Sequence, residues 1–324
     1  MLRDFALLLL LLSPSLVWIG SASAQTFPAK PPKLYVGFVP GGGVDQTARI
    51  TTARLAEIWG QQIIVENRVG AGGTIAAEAT AKSAPDGYTL VLCNIGSHGI
   101  GPSLYKNVGY HPLKDVTYIG LIGVTPNVMA VHPSVPATTV AEFIAYAKAN
   151  PGKVSYGSSG VGTSTHLGVE LFKSMTGIQI VHVPYKGGAQ SSADLVGGQV
   201  QLVITNLPEQ INYIKAGRSR ALGVSTLKRS PQLPEVPTIA EAGVPGYDVT
   251  VWYGLCGPAG IERTLLEKIN ADLVKAVTSP ETTKRLTDVG IEPAPGTSEQ
   301  FSAFVRAEVA KWAKVIKDAG IPTD

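Results

Sequence analysis

Two stretches of the chain join an apolar run to glycines and then to the start of a helix. The first is Val39-Pro40-Gly41-Gly42-Gly43, with Asp45 opening the helical pattern that follows. The second covers residues 157–162 (GSSGVG) and continues into Thr163, Ser164 and Thr165. At such places unpaired backbone N–H groups and the positive end of the helix dipole make a ready seat for an anion. Hydroxyls at Ser158, Ser159 and Thr163 would add donors, and they would equally serve as ordinary caps of a helix start. Neither loop contains GxGxxG, and the near-Walker stretch Gly157-x4-Gly162-Thr163 has no lysine to neutralise phosphate. A carboxylate carries less charge and needs no lysine. Two such loops on opposing lobes therefore suit a ligand with an anionic group at one or both ends.

Other reactive residue types give little. The five histidines, His98, His111, His132, His166 and His182, show no HExxH or HxH pairing, so no metal site is expected, and no cofactor motif occurs. Ser158 or Ser159 with His166 would be nucleophile and base of a hydrolase, but no GxSxG elbow surrounds them, and this stays a minor alternative. Ser97 and His98 follow an apolar strand at its carboxyl end, where ligands gather in open α/β sheets. Tyr185, in Val183-Pro184-Tyr185-Lys186-Gly187, sits at another strand end and would close over a ligand or cover the sheet edge. Trp252 and Tyr253 read as packing residues.

These residues need elements to position them. Apolar runs predict strands over residues 34–39, 63–66 and 89–93, with a helix over 44–58 closed by Gly60 and a short alanine-rich helix ending near Lys82. The pattern restarts with strands over 127–132, 154–156, 179–182, 200–205 and 220–224, and with helices over Val140–Ala149 and residues 164–175. Strands alternating with helices mean an α/β protein with mostly parallel sheets flanked by helices. Residues 231–245, rich in proline, read as a return linker. Two closing helices carry apolar faces, one at Leu265, Leu266, Ile269 and Leu273, the other at Phe301, Phe304, Val305, Trp312, Val315 and Ile316. They need a sheet to cover, and the first is the natural candidate. The expected organisation is a lobe of residues 25–126 plus 251–324 and an inserted lobe of residues 127–250. Two crossings, near residues 124–127 and 249–252, would form a hinge.

Composition narrows the class. Of 324 residues, 44% are hydrophobic and 16% charged, and the net charge of +3 is too small to argue for nucleic acid or an anionic membrane surface. Arg3, the apolar run of residues 5–12, the break at Ser13-Pro14-Ser15 and the small residues Ala22-Ser23-Ala24 read as a signal peptide, residues 1–24, removed on export. A membrane span needs about 20 apolar residues, and Pro14 interrupts this run first. Cys93 and Cys256, the two cysteines, would then meet an oxidising compartment. Both lie in apolar segments, so two buried free thiols are the simpler reading and a bridge the alternative.

The ordered motifs resemble those of the Bug family, the extracytoplasmic solute receptors of tripartite tricarboxylate transport systems. They are Val39-Pro40-Gly41-Gly42-Gly43-Val44-Asp45, Val65-Glu66-Asn67-Arg68 with Gly70-Ala71-Gly72-Gly73, Pro85-Asp86-Gly87-Tyr88-Thr89-Leu90, Ser158-Ser159-Gly160 with His166-Leu167, His182-Val183-Pro184-Tyr185-Lys186-Gly187, Gly197-Gly198-Gln199-Val200 and Pro237-Thr238-Ile239-Ala240-Glu241-Ala242-Gly243. The resemblance covers essentially the whole exported chain. It implies a two-lobed, type II-like periplasmic binding protein, monomeric, that closes on a small carboxylate and hands it to a membrane permease. A receptor that signals instead is the alternative. It further implies that residues 39–43 hold one carboxylate through main-chain groups, and that Ser158, Ser159, Gly162 and Thr163 hold the far end, with Ser97 and Asn206 lining the cleft. Asn206 stands where many members carry aspartate, which weakens the case for a cationic amino group there.

Overall fold

Short apolar runs become the buried strands of two sheets, and the helical periods between them become the covering layers. The computed structural model describes residues 27–323, so the expected signal peptide lies outside the described residues. The first half holds β1 (Lys33–Val36), α1 (Gly43–Trp59), β2 (Ile64–Asn67), α2 (Thr74–Ala81), β3 (Thr89–Asn94), a π-helical turn (Ile95–Ile100), α3 (Gly101–Leu104) and β4 (Val116–Val131). Next come α4 (Val140–Ala149), β5 (Ser155–Ser158), α5 (Ser164–Thr176), β6 (Val181–Pro184), α6 (Gly188–Val196), β7 (Leu202–Asn206), α7 (Leu207–Lys215) and β8 (Arg220–Val224). The chain closes with β9 (Thr250–Pro258), α8 (Arg263–Val277), α9 (Pro280–Asp288), β10 (Glu292–Pro293) and α10 (Ser298–Asp318).

The molecule is a two-lobed α/β protein. In one lobe β2, β1 and β3 pair in parallel, with β9 antiparallel against β3. In the other, β6, β5 and β7 pair in parallel. Strand β4 belongs to both: it pairs antiparallel with β9 as far as Pro126↔Thr250, and with β7 from Asn127↔Asn206. The second sheet is thus parallel but for β4, and the first is parallel but for β9 and the two-residue β10, which pairs antiparallel with β4. Sequence periodicity reveals only the second half of β4, because register shifts at Tyr118/Gly120 and Leu121/Gly123 break the alternation of its first half. Gly123 is needed there, since a β-carbon would lie 2.6 Å from the Glu292 carbonyl oxygen of β10.

The ends of the elements follow local chemistry. α1 stops at Gly60, which adopts φ 62°, and α4 starts on a capping box between Thr139 and Glu142. β1 is shorter than the apolar run 34–39 because Gly37 must pass Gly73, where a β-carbon would lie 2.5 Å from the Gly73 Cα. Helices α8 and α10 cover the first sheet as expected. Phe301 on α10 sets its ring edge-on against Tyr118 and Trp252 at 5.4 and 5.8 Å.

Two expectations are corrected. Residues 231–245 are no mere linker: Leu233, Val236, Ile239 and Val244 are buried, and the Ile239 N–H donates to the Val224 carbonyl at 2.8 Å. Their apolar residues are spaced irregularly between prolines, so no period betrays them. Cys93 and Cys256 form a disulfide, with Cα atoms 5.9 Å apart, rather than remaining free thiols. The reason is topological: β9 returns beside β3, and the pairings Val91↔Cys256 and Cys93↔Gly254 put both cysteines on one face, two residues apart across the strands.

Candidate functional site

Strand carboxyl ends from both lobes meet at one cavity, lined among others by Val39, Gly42, Asn94, Ser159, Thr163, Asn206, Glu209 and Tyr253. Asn94 ends β3 and Tyr253 lies on β9, in the first lobe; Ser159 follows β5 and Asn206 ends β7, in the second. Each of these four presents a buried polar atom with no hydrogen-bond partner in the protein: Asn94 Nδ2, Ser159 Oγ, Asn206 Oδ1 and Tyr253 OH. Their residues are between 0% and 8% exposed. Buried polar groups are nearly always paired, because leaving one unpaired costs about 1–3 kcal/mol. Four such atoms converging from two lobes mark a place built to receive hydrogen-bonding groups from elsewhere.

The first glycine loop is already engaged by the chain's own carboxylates. The Gly41 N–H donates to Asp45 Oδ2 at 3.0 Å, and the Gly43 N–H donates to Glu209 Oε1 at 3.3 Å. Asp45 also receives Arg49 Nε at 2.8 Å and Asn67 Nδ2 at 3.0 Å. Burial would raise its pKa, but these bonds outweigh burial and hold the carboxyl below the usual range. Asp45 is therefore a tie within the loop rather than a ligand-facing group. Pro40 and Gly41 are exposed and, like Gly43, lie outside the cavity lining; Val39 and Gly42 form part of it.

The second loop behaves in the same way. Thr163 caps α5 by accepting the His166 N–H, and its hydroxyl also donates to the Gly160 carbonyl at 2.7 Å. The Ser159 N–H goes to Thr165 Oγ1 at 2.7 Å, which leaves the Ser159 hydroxyl for the cavity. Ser158 is turned away, receiving the Gly160 N–H and lying 2.6 Å from His182 Nε2. The histidine beside Ser158 is thus His182 and not the expected His166, whose ring stacks on that of His182 at 4.4 Å. Burial pushes the His182 pKa down to about 4.

The remaining expected residues fall outside the cavity. Ser97 lies behind it, its hydroxyl 2.8 Å from His98 Nδ1, and His98 is fully buried against the rings of Tyr110 and Tyr118. Gly162 faces the Tyr105 ring. Tyr185 bonds Asp194 at 2.8 Å and lines an outer cleft with Phe38, Ser159 and Gly160. Among the described residues, Tyr105 OH donates to the Val161 carbonyl at 2.8 Å and the Gly43 N–H donates to Glu209 across the cleft, and Lys311 Nζ also joins the lobes by donating to Asp248 Oδ2 at 3.1 Å. The inner cavity has room for about one water molecule, so a larger guest requires the lobes to part.

Sequence reasoning missed Asn94, Glu209 and Tyr253. Asn94 was one residue beyond the apolar run of β3, at the strand end where ligands are expected. Glu209 looked like an ordinary first-turn acid of α7, and Tyr253 like core. Glu209 receives the Thr205 hydroxyl at 2.6 Å. Burial raises its pKa above the usual carboxylate range despite the bonds from Thr205, Gly43 and Asn206 that oppose the rise.

Comparison with known proteins agrees with this architecture. Residues 47–321 match the family described as "Tripartite tricarboxylate transporter family receptor". The chain is 36% identical to BugT of Bordetella pertussis, over 92% of each chain. Among solved structures, Rpa4515 of R. palustris with adipate is 41% identical with a TM-score of 0.89, covering 92% of this chain and all of the other (100%). MatC from Rhodopseudomonas palustris with bound malate is 30% identical with a TM-score of 0.84, covering 90% of this chain and 100% of the other.

Proposed function

This chain belongs to the tripartite tricarboxylate transporter family of receptors, and on that premise we propose that it captures a small organic carboxylate between its two lobes and delivers it to a tripartite tricarboxylate-type membrane permease. The observation that carries this reading is the set of unpaired polar atoms, Asn94 Nδ2 and Tyr253 OH from one lobe and Ser159 Oγ and Asn206 Oδ1 from the other. A ligand bonded to both pairs favours the closed arrangement, because it binds that arrangement better than the open one. Val39, Gly42 and Thr163 form the walls. The hinge lies where β4 passes from Pro126 to Asn127 and where β9 begins at Thr250, separating residues 25–126 plus 251–324 from residues 127–250.

The protein acts after export, in the periplasm, with residues 1–24 removed, and as a monomer. The apolar leader supports export, and solved structures described as a periplasmic transporter and as periplasmic binding protein BugD support the compartment. Its role is binding and hand-over rather than catalysis. The Ser158 hydroxyl is held between the Gly160 N–H and His182, outside the inner cavity. A thermal-shift screen of the mature protein against small mono-, di- and tricarboxylates tests the reading. A ligand at a hundredfold excess over its dissociation constant stabilises the fold by about 2.7 kcal/mol. Stabilisation by a carboxylate class is the expected result; stabilisation by neutral or cationic solutes alone would overturn it.

A further inference from the structure

The carboxylate of Glu209 reaches across the cleft from α7 and occupies the start of α1. Its Oε1 accepts the Gly43 N–H at 3.3 Å, and its Oε2 accepts the Thr205 hydroxyl at 2.6 Å. The space it fills is shaped for it by two glycines. A β-carbon at Gly188 would lie 1.6 Å from Oε2, and one at Gly42 would lie 3.2 Å from Oε1. Its partners, the Gly43 and Asn206 N–H groups and the Thr205 hydroxyl, are donors, which favour the ionised form and oppose the rise that burial gives its pKa. Among the described residues no lysine or arginine pairs with it. Of the titratable groups on the elements packed around it, Tyr253 on β9 is a neutral phenol, Asp45 and Arg49 on α1 pair with each other at 2.8 Å, and Asp194 on α6 receives Tyr185.

Two consequences follow for a ligand. The loop donors that would seat an incoming anion at this end, the N–H groups of Gly41 and Gly43, are already bonded to Asp45 and Glu209. A second carboxylate placed there would compete with Glu209 for the same donors and, with Glu209 ionised, would meet a like charge in a partly dry site. The unpaired donors Asn94 Nδ2 and Ser159 Oγ line the same cavity and can seat one carboxylate, while Glu209 and the unpaired Asn206 Oδ1 both call for a donor.

We propose that Glu209 determines specificity, selecting a monocarboxylate that presents a hydrogen-bond donor, a hydroxyl or an ammonium, to Glu209 and Asn206, and rejecting a second carboxylate at that end. The proposal rests on the reading of this cleft as the carboxylate site. It is tested by calorimetric titration at pH 8 with straight-chain diacids of four to six carbons, each against the ω-hydroxy acid and the ω-amino acid of equal length. Wild type should bind the better of the two donor-bearing acids at least about tenfold more tightly than its diacid, the ratio that 1.4 kcal/mol gives. In Glu209→Gln, and in Glu209→Ala as a second variant free of amide geometry, that preference should vanish or invert. A diacid that binds wild type as well as its donor-bearing partner overturns the proposal, as does a preference unchanged in both variants. Absence of binding by every acid to every protein overturns instead the carboxylate reading of the cleft on which the proposal stands.

Discussion

Removing the disulfide should lower the melting temperature by about 8 °C. Cys93 and Cys256 are separated by 163 residues of sequence, so the bond closes a loop spanning the whole second lobe. In the chain-entropy account a closure of that length disfavours the unfolded state by about 5 kcal/mol at 25 °C. A chain of about 300 residues has a melting entropy near 0.6 kcal/mol per kelvin, which converts the loss into about 8 °C. Both cysteines are 0% exposed, so reductant added to folded protein reaches the bond slowly. The comparison therefore uses protein unfolded and refolded with and without reductant, followed by calorimetry, with the Cys93→Ala/Cys256→Ala double variant beside it. Thiol labelling of denatured, unreduced protein should find no free thiol. Two labelled thiols there, or melting temperatures of oxidised and reduced protein within about 1 °C, would refute the reasoning.

Other perturbations separate further parts of the account. Glu308 on α10 accepts both buried indole N–H groups, Trp252 at 3.0 Å and Trp312 at 3.2 Å, so Glu308→Ala should cost about 2–5 kcal/mol in denaturant unfolding and Glu308→Gln should recover part of it; a loss below about 1 kcal/mol would contradict this. Gly188→Ala sets a β-carbon 1.6 Å from Glu209 Oε2 and should destabilise by about 1–3 kcal/mol, most of which Gly188→Ala/Glu209→Ala should restore; a double variant no more stable than the single would show the clash to be elsewhere. Burial holds His182 at about 4 and His98 at about 3, below the ordinary 6.5, so both fold as neutral rings while the unfolded chain takes up their protons. Stability from this source is full above pH 6.5 and falls as the pH drops towards 4; the denaturant midpoint should therefore be lower at pH 5 than at pH 7, and a flat profile would count against it.

The lobed plan was legible because the helical and strand periods of the parallel βα units survive in the sequence. Glycines at 60 and 73, and the loops at 41–43 and 157–162, carried the turns between them. What stayed hidden has a common cause. The first half of β4 loses its alternation to bulges, β9 was read as a crossing, and so the contact that pairs Cys93 with Cys256 could not be anticipated. The site shows the same limit. Its glycine loops were visible, and Ser159 and Asn206 were placed from the family resemblance. Their donors, however, turn out to be engaged by Asp45, Glu209 and Thr165, residues whose long-range or local partners no spacing announces. Glu209 lies 166 residues from Gly43, and only the folded chain brings an acid of one lobe to the helix start of the other.

The central claim is that a carboxylate is held by both lobes at once, and titration calorimetry on one variant from each lobe tests it most directly. Tyr253→Phe in the first lobe and Ser159→Ala in the second each delete a buried polar atom that has no partner in the protein, so neither should lower the melting temperature of the unliganded protein. With the carboxylate that stabilises wild type, each should weaken binding by about tenfold or more, the value of a hydrogen bond to a charged group. Unchanged affinity in both variants would contradict the account, and unchanged affinity in one alone would remove that lobe from the site.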